Sequence, residues 1–347
     1  MTARMLGRYY HIDGDILERA YKEHLSGYRD WSEKDHADKY LVFPENIGPH
    51  MSIDETSTRD GELYTILSNK DGHCRKGSIA AIVSGTKVDD VVDAFLKIPA
   101  GVRKKVVEIT MDFSGSMAEI ADIAFPWACR VLDKFHMQRM ALDAVNNLRL
   151  RHKREAMAQE AAARKEYRLN QIARRNHMKK HYKFIIDGSH PLPAIKAYAP
   201  EHLDNGDTRP ELLTRSAYLL TMSPDKWTEK QKKRAGILFS LYPDIETAFG
   251  LSHSLRVIFS NKKATRESAR KSLEAWHAKA RRFKNDDLST LSETLKTREE
   301  EVLNYFLFHS TNASAESLNT KIKTFRAQLR GVTDLKFFLF RLTNIYA

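Results

Sequence analysis

The sequence predicts an α/β fold plus all-α: a mixed five-stranded sheet with helices on its faces, interrupted by a large helical insertion. Three observations predict it. Residues 50–135 carry short runs with alternating or β-rich side chains, bounded by turn signals, which is the pattern of strands. From 137 to about 310 the apolar residues fall at helical spacing instead. Two amphipathic helices then close the chain. Four segments follow: 1–48, a short N-terminal helical region; 49–136, the first part of the sheet domain; 137–309, a basic all-α insertion; and 310–347, the C-terminal helices of the sheet domain.

In the first segment Asp13 or Asp15 can cap a helix through about Leu25. Strand one spans about 50–57 and ends in Asp54-Glu55-Thr56-Ser57. Asp60-Gly61 is a hairpin signal into strand two at 62–68. A turn at Asp71-Gly72 leads to strand three at 78–84. Val88, Val91, Val92, Phe95 and Leu96 share one face of a helix that stops before Pro99. Strand four, 106–112, ends at Asp112. Ser114 or Ser116 can cap a helix to about Ala124, and Pro126 breaks it. Strand five is 128–133. This order, three antiparallel strands followed by helix-linked strands, is that of RNase H-like nuclease domains.

The insertion opens with a helix carrying Met137, Met140, Ala141, Ala144, Val145 and Leu148. It continues into a basic tract, with twelve Lys/Arg against three Asp/Glu within 149–183. Such a run is usually a solvated face. Its single sign makes a phosphate-tracking arm an equal reading, with Arg174, Arg175, Lys179 and Lys180 at its far end. Residues 184–209 hold Gly188, Pro191, Pro193, Pro200 and Gly206 and read as a connection. Helices are expected at about 210–221, 228–241, 244–260, 264–283 and 287–309. Ser310 or Thr311 can cap the next, which runs to about Arg330 and ends at Gly331. Leu318, Ile322, Phe325 and Leu329 form its apolar stripe. Glu316, Asn319, Lys323, Arg326 and Arg330 share much of the other side. Asp334 can cap the last helix.

The 347 residues carry a net charge of +12 and a pI near 9.5, which favours a polyanionic partner. At 42% hydrophobic and 29% charged residues, composition excludes a disordered chain. No apolar run approaches the roughly 20 residues of a membrane span, and the N-terminus has no apolar signal core. Cys74 and Cys129 form no CxxC pair, so neither a disulfide framework nor a zinc site is indicated. A cytoplasmic, nucleoid-associated protein is expected.

Three acids suit phosphodiester chemistry. Cleavage needs an activated water or 3′-hydroxyl and a stabilised leaving oxygen. Two divalent cations roughly 3.5–4 Å apart supply both. Mg²⁺ keeps several waters and needs few carboxylates. If the order of elements is right, Asp54 bridges two ions, Asp112 holds one and Glu316 the other.

The motifs sharpen this. Phe43-Pro44-Glu45-Asn46-Ile47-Gly48, Ser52-Ile53-Asp54-Glu55-Thr56-Ser57, Gly61-Glu62-Leu63-Tyr64-Thr65-Ile66, Lys76-Gly77, Thr110-Met111-Asp112-Phe113-Ser114, Asp133-Lys134-Phe135-His136-Met137 and Asn312-Ala313-Ser314-Ala315-Glu316 occur in one order. So do Asn205-Gly206-Asp207-Thr208 and Ser223-Pro224-Asp225-Lys226-Trp227-Thr228 in the insertion. Together they resemble bacterial insertion-sequence DDE transposases of the "ISL-three" type, Aon subgroup, over nearly the whole chain. The resemblance implies an RNase H-like catalytic domain interrupted by a helical insertion before the last acid. It implies cleavage and strand transfer at terminal inverted repeats with two Mg²⁺ ions, Mn²⁺ substituting. By position the triad is Asp54, Asp112 and Glu316, all three metal ligands. The family also carries an aspartate at Asp133, which competes with Asp112; Asp112 is preferred because its strand lies beside strand one. The resemblance further implies double-stranded DNA as partner, both transposon ends and target, and a homodimer or larger synaptic assembly. The chain lacks the N-terminal zinc or helix-turn-helix region of longer relatives, so a separately encoded DNA-binding protein is an expected partner.

Beyond the triad, Lys134 and His136 are placed to contact the scissile phosphate, and packing is an equal reading for His136. Lys323, Arg326 and Arg330 are candidate DNA contacts. Trp227 could stack on an unpaired base, although packing between helices is the more common fate of such a residue. Glu55 should point away from Asp54 by strand alternation. Two other functions share these features: an RNase H-like structure-selective nuclease of DNA repair, and a catalytically inactive DNA-binding derivative.

Overall fold

A computed structural model describes residues 3–59, 62–182, 191–329, 332 and 334–347; for Arg4, Thr58 and Arg59 it describes the backbone alone. The Asp60-Gly61 turn, Arg330 and Gly331 lie outside the described residues. The chain divides into two compact units. One comprises 1–137, 261–271 and 294–347, and the other 138–260 and 272–293.

The first unit is built on a mixed sheet of six strands among the described residues: β1 (Tyr40–Val42), β2 (His50–Arg59), β3 (Glu62–Asn69), β4 (Ile79–Ser84), β5 (Glu108–Met111) and β6 (Cys129–Leu132), in the order β1-β4-β3-β2-β5-β6. The expected five strands are therefore six. The added strand is three residues long, too short to show a period of two, and it forms only by pairing antiparallel with the edge of β4. The remaining strands match the expected pattern. β2, β3 and β4 are antiparallel, while β5 and β6 run parallel to β2.

Two short helices precede the sheet, α1 (Ala3–Tyr10) and α2 (Gly14–Ala20), the second capped by Asp13. α3 (Val88–Leu96), the short α4 (Ala100–Arg103) and α5 (Gly115–Ala124) supply the crossovers. Ser114 caps α5 by accepting from the Met117 N–H. A long helix, α6 (Lys134–His181), runs 48 residues. The second unit is helical, with α7 (Arg209–Arg215), α8 (Glu229–Leu241) and α9 (Pro243–Ser260) within it. α10 (Arg266–Phe283) and α11 (Asp286–Thr297) each have residues in both units. The single helix expected at 287–309 is two, because Arg298 leaves helical geometry between α11 and α12 (Glu299–Phe308).

α13 (Ala313–Gln328) and α14 (Leu335–Tyr346) close the first unit. Leu318 and Ile322 of α13 join Phe338, Leu339 and Leu342 of α14 over Leu41, Tyr64, Ile66, Ile79 and Ile82 of the sheet. All of these are almost fully buried, so apolar burial presses α13 onto this face. The opposite sheet face carries Met51, Ile53, Leu67, Ala81, Ile109 and Met111, each fully buried.

The turn before β2 explains two of the motif residues. Asn46 Nδ2 donates to the Ile79 carbonyl at 2.8 Å. A Cβ at Gly48 would sit 2.8 Å from Asn69 Oδ1. Any larger residue there would have to push the Asn69 side chain aside.

Candidate active site

Strand register gathers the aspartates. Ser52 of β2 lies opposite Thr110 of β5, and Thr110 lies opposite Val131 of β6. Side chains two residues apart share a face. Asp54, Asp112 and Asp133 each stand two residues beyond that row, so all three fall on one face at one end of the sheet. Asp112 and Asp133 follow the last residues of their strands, and Asp133 N–H donates to the Met111 carbonyl at 3.0 Å. The face is the one α13 crosses, since Asp54 is paired with Ile66 of the α13 contact.

The electrostatics reflect this gathering. Burial pushes the Asp54 carboxyl up to about 7, aided by the negative charges of Asp112, Glu316 and Glu55 against a lowering hydrogen bond from the Glu55 N–H. Burial also raises Glu316, with Asp133 and Asp112 adding to it. Burial raises Asp133 as well, offset by the Asn312 N–H and reinforced by Asp112. Glu55 is raised by burial and then by Asp112. Alternation turns Glu55 to the other face from Asp54, and β5 pairs with β2 only as far as Ser52.

The acids differ in what holds them. Asp54 Oδ2 accepts from Asn319 Nδ2 at 2.7 Å. Asp112 is about one-third exposed and has His136 Nδ1 3.6 Å from Oδ2. Asp133 is 1% exposed and accepts from two backbone amides, Asn312 N–H at 3.1 Å and His136 N–H at 3.3 Å. Glu316 lies in the first turn of α13 and is exposed. His136 stacks on Phe113, with ring centres 5.9 Å apart, and the Arg298 guanidinium lies 5.8 Å from the Phe113 ring. Lys134 donates to Tyr305 Oη at 2.7 Å, so its ammonium is held beside an aromatic.

Behind the aspartates lies a buried charged network. Glu108, fully buried on β5, accepts from Lys70 Nζ at 2.7 Å, His50 Nδ1 at 3.1 Å and Ser310 Oγ at 2.5 Å. Lys70 also donates to Thr110 Oγ1 at 2.6 Å. Burial lowers the Lys70 ammonium, and Glu108 resists that shift. Neither Lys70 nor Glu108 stands out in the sequence as a site residue. The available signal is an acid inside a strand of apolar neighbours, four residues before Asp112 and therefore on its face.

The start of α13 departs from the expected cap. Ser310 is spent on Glu108, and Asn312 occupies the cap position without a side-chain capping bond. A turn after β3 grips this helix: Cys74 Sγ donates to the Ser314 carbonyl at 3.3 Å, and Lys321 Nζ donates to the Cys74 carbonyl at 2.9 Å. His73 and Cys74 adopt left-handed backbone there, at φ 50° and 56°.

Of the candidate DNA contacts, Lys323 is exposed two helical turns after Glu316, and Arg326 is half-buried. Arg174, Lys179 and Lys180 are exposed on α6, and Arg175 is half-buried. Trp227 belongs to the second unit. It stacks on Phe249 at 5.5 Å and gives its indole N–H to the Leu219 carbonyl at 3.0 Å, which is the packing arrangement.

Among the described residues no three of His, Cys, Asp and Glu are gathered tightly enough to cage an ion. The donor set nevertheless fits a hard divalent cation. It consists of oxygen ligands whose mutual repulsion a cation relieves. Mg²⁺ in particular requires only one or two carboxylates, with waters and substrate phosphates completing its shell.

No helix among the described residues is long and apolar enough to cross a membrane. No curated protein and no solved structure matches the chain. A family model described as a transposase, of the ISL3 type of DDE transposases, matches residues 51–342. That span holds every strand acid, the basic helix and Glu316, and the chain belongs to this transposase family.

Proposed function

We propose that the chain is a DNA transposase that cleaves and joins strands at the terminal inverted repeats of an insertion sequence, using an RNase H-like site of Asp54, Asp112 and Glu316. The observation that carries this reading is the single row of Asp54, Asp112 and Asp133, with α13 bringing Glu316 to the same face. Bound divalent cations, Mg²⁺ or Mn²⁺, would activate the attacking oxygen and stabilise the leaving one.

Asp54 would be among the residues that hold the cations, since its charge is opposed by both Asp112 and Glu316. Asp112 is preferred to Asp133 as the second ligand. Asp112 is open to solvent, whereas Asp133 is buried and occupied by two backbone amides. Asp133 thus sets the position of the segment before Glu316. His136, beside Asp112, is placed to orient the scissile phosphate. Lys323 and Arg326 on α13, with Arg174, Arg175, Lys179 and Lys180 on α6, supply phosphate contacts. End recognition uses a second copy of the chain.

The test is cleavage of a duplex ending in the element's inverted repeat. Asp54→Asn, Asp112→Asn and Glu316→Gln should each abolish Mg²⁺-dependent cleavage and leave DNA binding nearly intact. Full activity in any one removes that residue from the triad. Equal cleavage of duplexes without the repeat points instead to a structure-selective nuclease.

A further inference from the structure

Glu108 is fully buried, and its Oε1 accepts from Lys70 Nζ at 2.7 Å, His50 Nδ1 at 3.1 Å and Ser310 Oγ at 2.5 Å. Its other oxygen is buried with no hydrogen-bond partner among the described residues. A buried ion pair adds little to stability over well-packed apolar residues, and its best-attested use is to select one arrangement of the chain. Where the donors come from shows which arrangement is at stake. His50 belongs to β2, whose ladder already places it opposite Glu108. Lys70 directly follows β3, which is paired with β2. Ser310 comes instead from 309–311, which lie in neither helix nor strand.

The path into that stretch is not a default one. His309 leaves α12 in left-handed backbone, at φ 51°, which residues other than glycine adopt uncommonly. The Ser310 bond ties the chain immediately after this turn. Glu108 lies four residues before Asp112 on its strand, and Ser310 lies six before Glu316. One hydrogen bond to a charged group therefore joins the two stretches that lead to the second and third acids of the proposed triad.

Building on the reading of Asp54, Asp112 and Glu316 as the active site, we propose that Ser310 is a positioning residue, its hydroxyl bond to Glu108 setting where Glu316 stands relative to Asp112.

Turnover of a duplex ending in the element's inverted repeat, together with hydrogen exchange of the metal-free and DNA-free full chain, tests this. Ser310→Ala leaves Lys70 and His50 on Glu108, so the buried charge stays compensated and the fold should persist. That variant should lower kcat about tenfold or more with KM unchanged, since an acid is misplaced while the DNA still binds. Ser310→Thr, which restores a hydroxyl, should recover most of the loss. The amides of 311–316 should exchange faster in Ser310→Ala and at about the wild-type rate in Ser310→Thr. Asp334→Ala, which removes the cap of α14 in the same unit, controls for general loosening and should leave kcat unchanged. If the alanine variant melts below the assay temperature, Ser310→Cys, close in shape and a weaker donor, takes its place. Wild-type kcat in Ser310→Ala, a threonine variant as slow as the alanine one, or an equal loss in Asp334→Ala overturns the proposal. Undiminished cleavage by Glu316→Gln overturns the triad itself. Unchanged exchange in Ser310→Ala overturns only the role of Ser310.

Discussion

Asn319 Nδ2 donates to Asp54 Oδ2 at 2.7 Å and lies 3.3 Å from the Glu55 carbonyl, so one amide ties α13 to β2 at the acid most opposed by its neighbours. Asn319 lies three residues after Glu316, less than one helical turn, so the same amide also fixes how far Glu316 stands from Asp54.

Removing that amide should loosen both contacts. Asn319→Ala is expected to cost about 1.5–3 kcal/mol, the range for a hydrogen bond to a charged group. Asn319→Asp should cost more, because it adds a carboxylate beside Asp54. Urea denaturation without divalent cation checks the order of the three proteins. An aspartate variant as stable as the wild type would contradict it.

The raised Asp54 carboxyl gives a pH dependence of definite sign. Its folded value of about 7 lies above its ordinary value of 3.8. Its contribution to stability is therefore full below about pH 4 and is lost as pH rises through 7. Without divalent cation, the melting temperature of the wild type should fall over that window more than that of Asp54→Asn. Mg²⁺ should stabilise the wild type more at pH 8 than at pH 5, since the protonated acid binds cations poorly. Identical pH profiles for the two proteins would refute the assignment.

The Lys70–Glu108 pair should behave as a buried ion pair. Breaking it from one side leaves an uncompensated charge, so Lys70→Met or Glu108→Gln is expected to cost about 3–5 kcal/mol. The double replacement Lys70→Met, Glu108→Gln should cost clearly less than the two single changes added. A double-mutant cycle in urea measures the difference, and simple additivity would show that the two charges are not coupled.

The basic end of α6 should act on DNA without regard to sequence. Replacing Arg174, Arg175, Lys179 and Lys180 by alanine should flatten the dependence of log K on log salt by about 0.9 for each phosphate no longer neutralised. Affinity should fall equally for repeat-bearing and unrelated duplexes. An unchanged slope would exclude this stretch from the DNA interface.

Much of this was legible in the chain. Alternation in β2 to β6 and the turn residues between them announced the sheet, and period two placed Asp54, Asp112 and Asp133 at strand ends. What period two could not reveal was register, which decides whether strand ends lie in one row. β1 escaped because three residues carry no period. The amides of Asn312 and Asn319 were visible as motif and helix-face residues, but their targets lie hundreds of residues earlier. Glu108 looks like an ordinary strand residue until Lys70, a turn residue after β3, folds under it. The hydroxyl of Ser310 resembles a helix cap in sequence, and only the nearby buried carboxylate redirects it.

The way the first unit is divided along the chain has a consequence for synthesis. A ribosome completes the segment with Asp54, Asp112 and Asp133 first, then the long helical stretch, and only afterwards the segment with Asn312, Glu316 and Asn319. The contacts joining these segments are among the most distant in sequence, which makes them late to form. A nascent polypeptide halted anywhere in the second unit would bear the three aspartates without Glu316, and on the proposed function it could not yet cut the chromosome that encodes it.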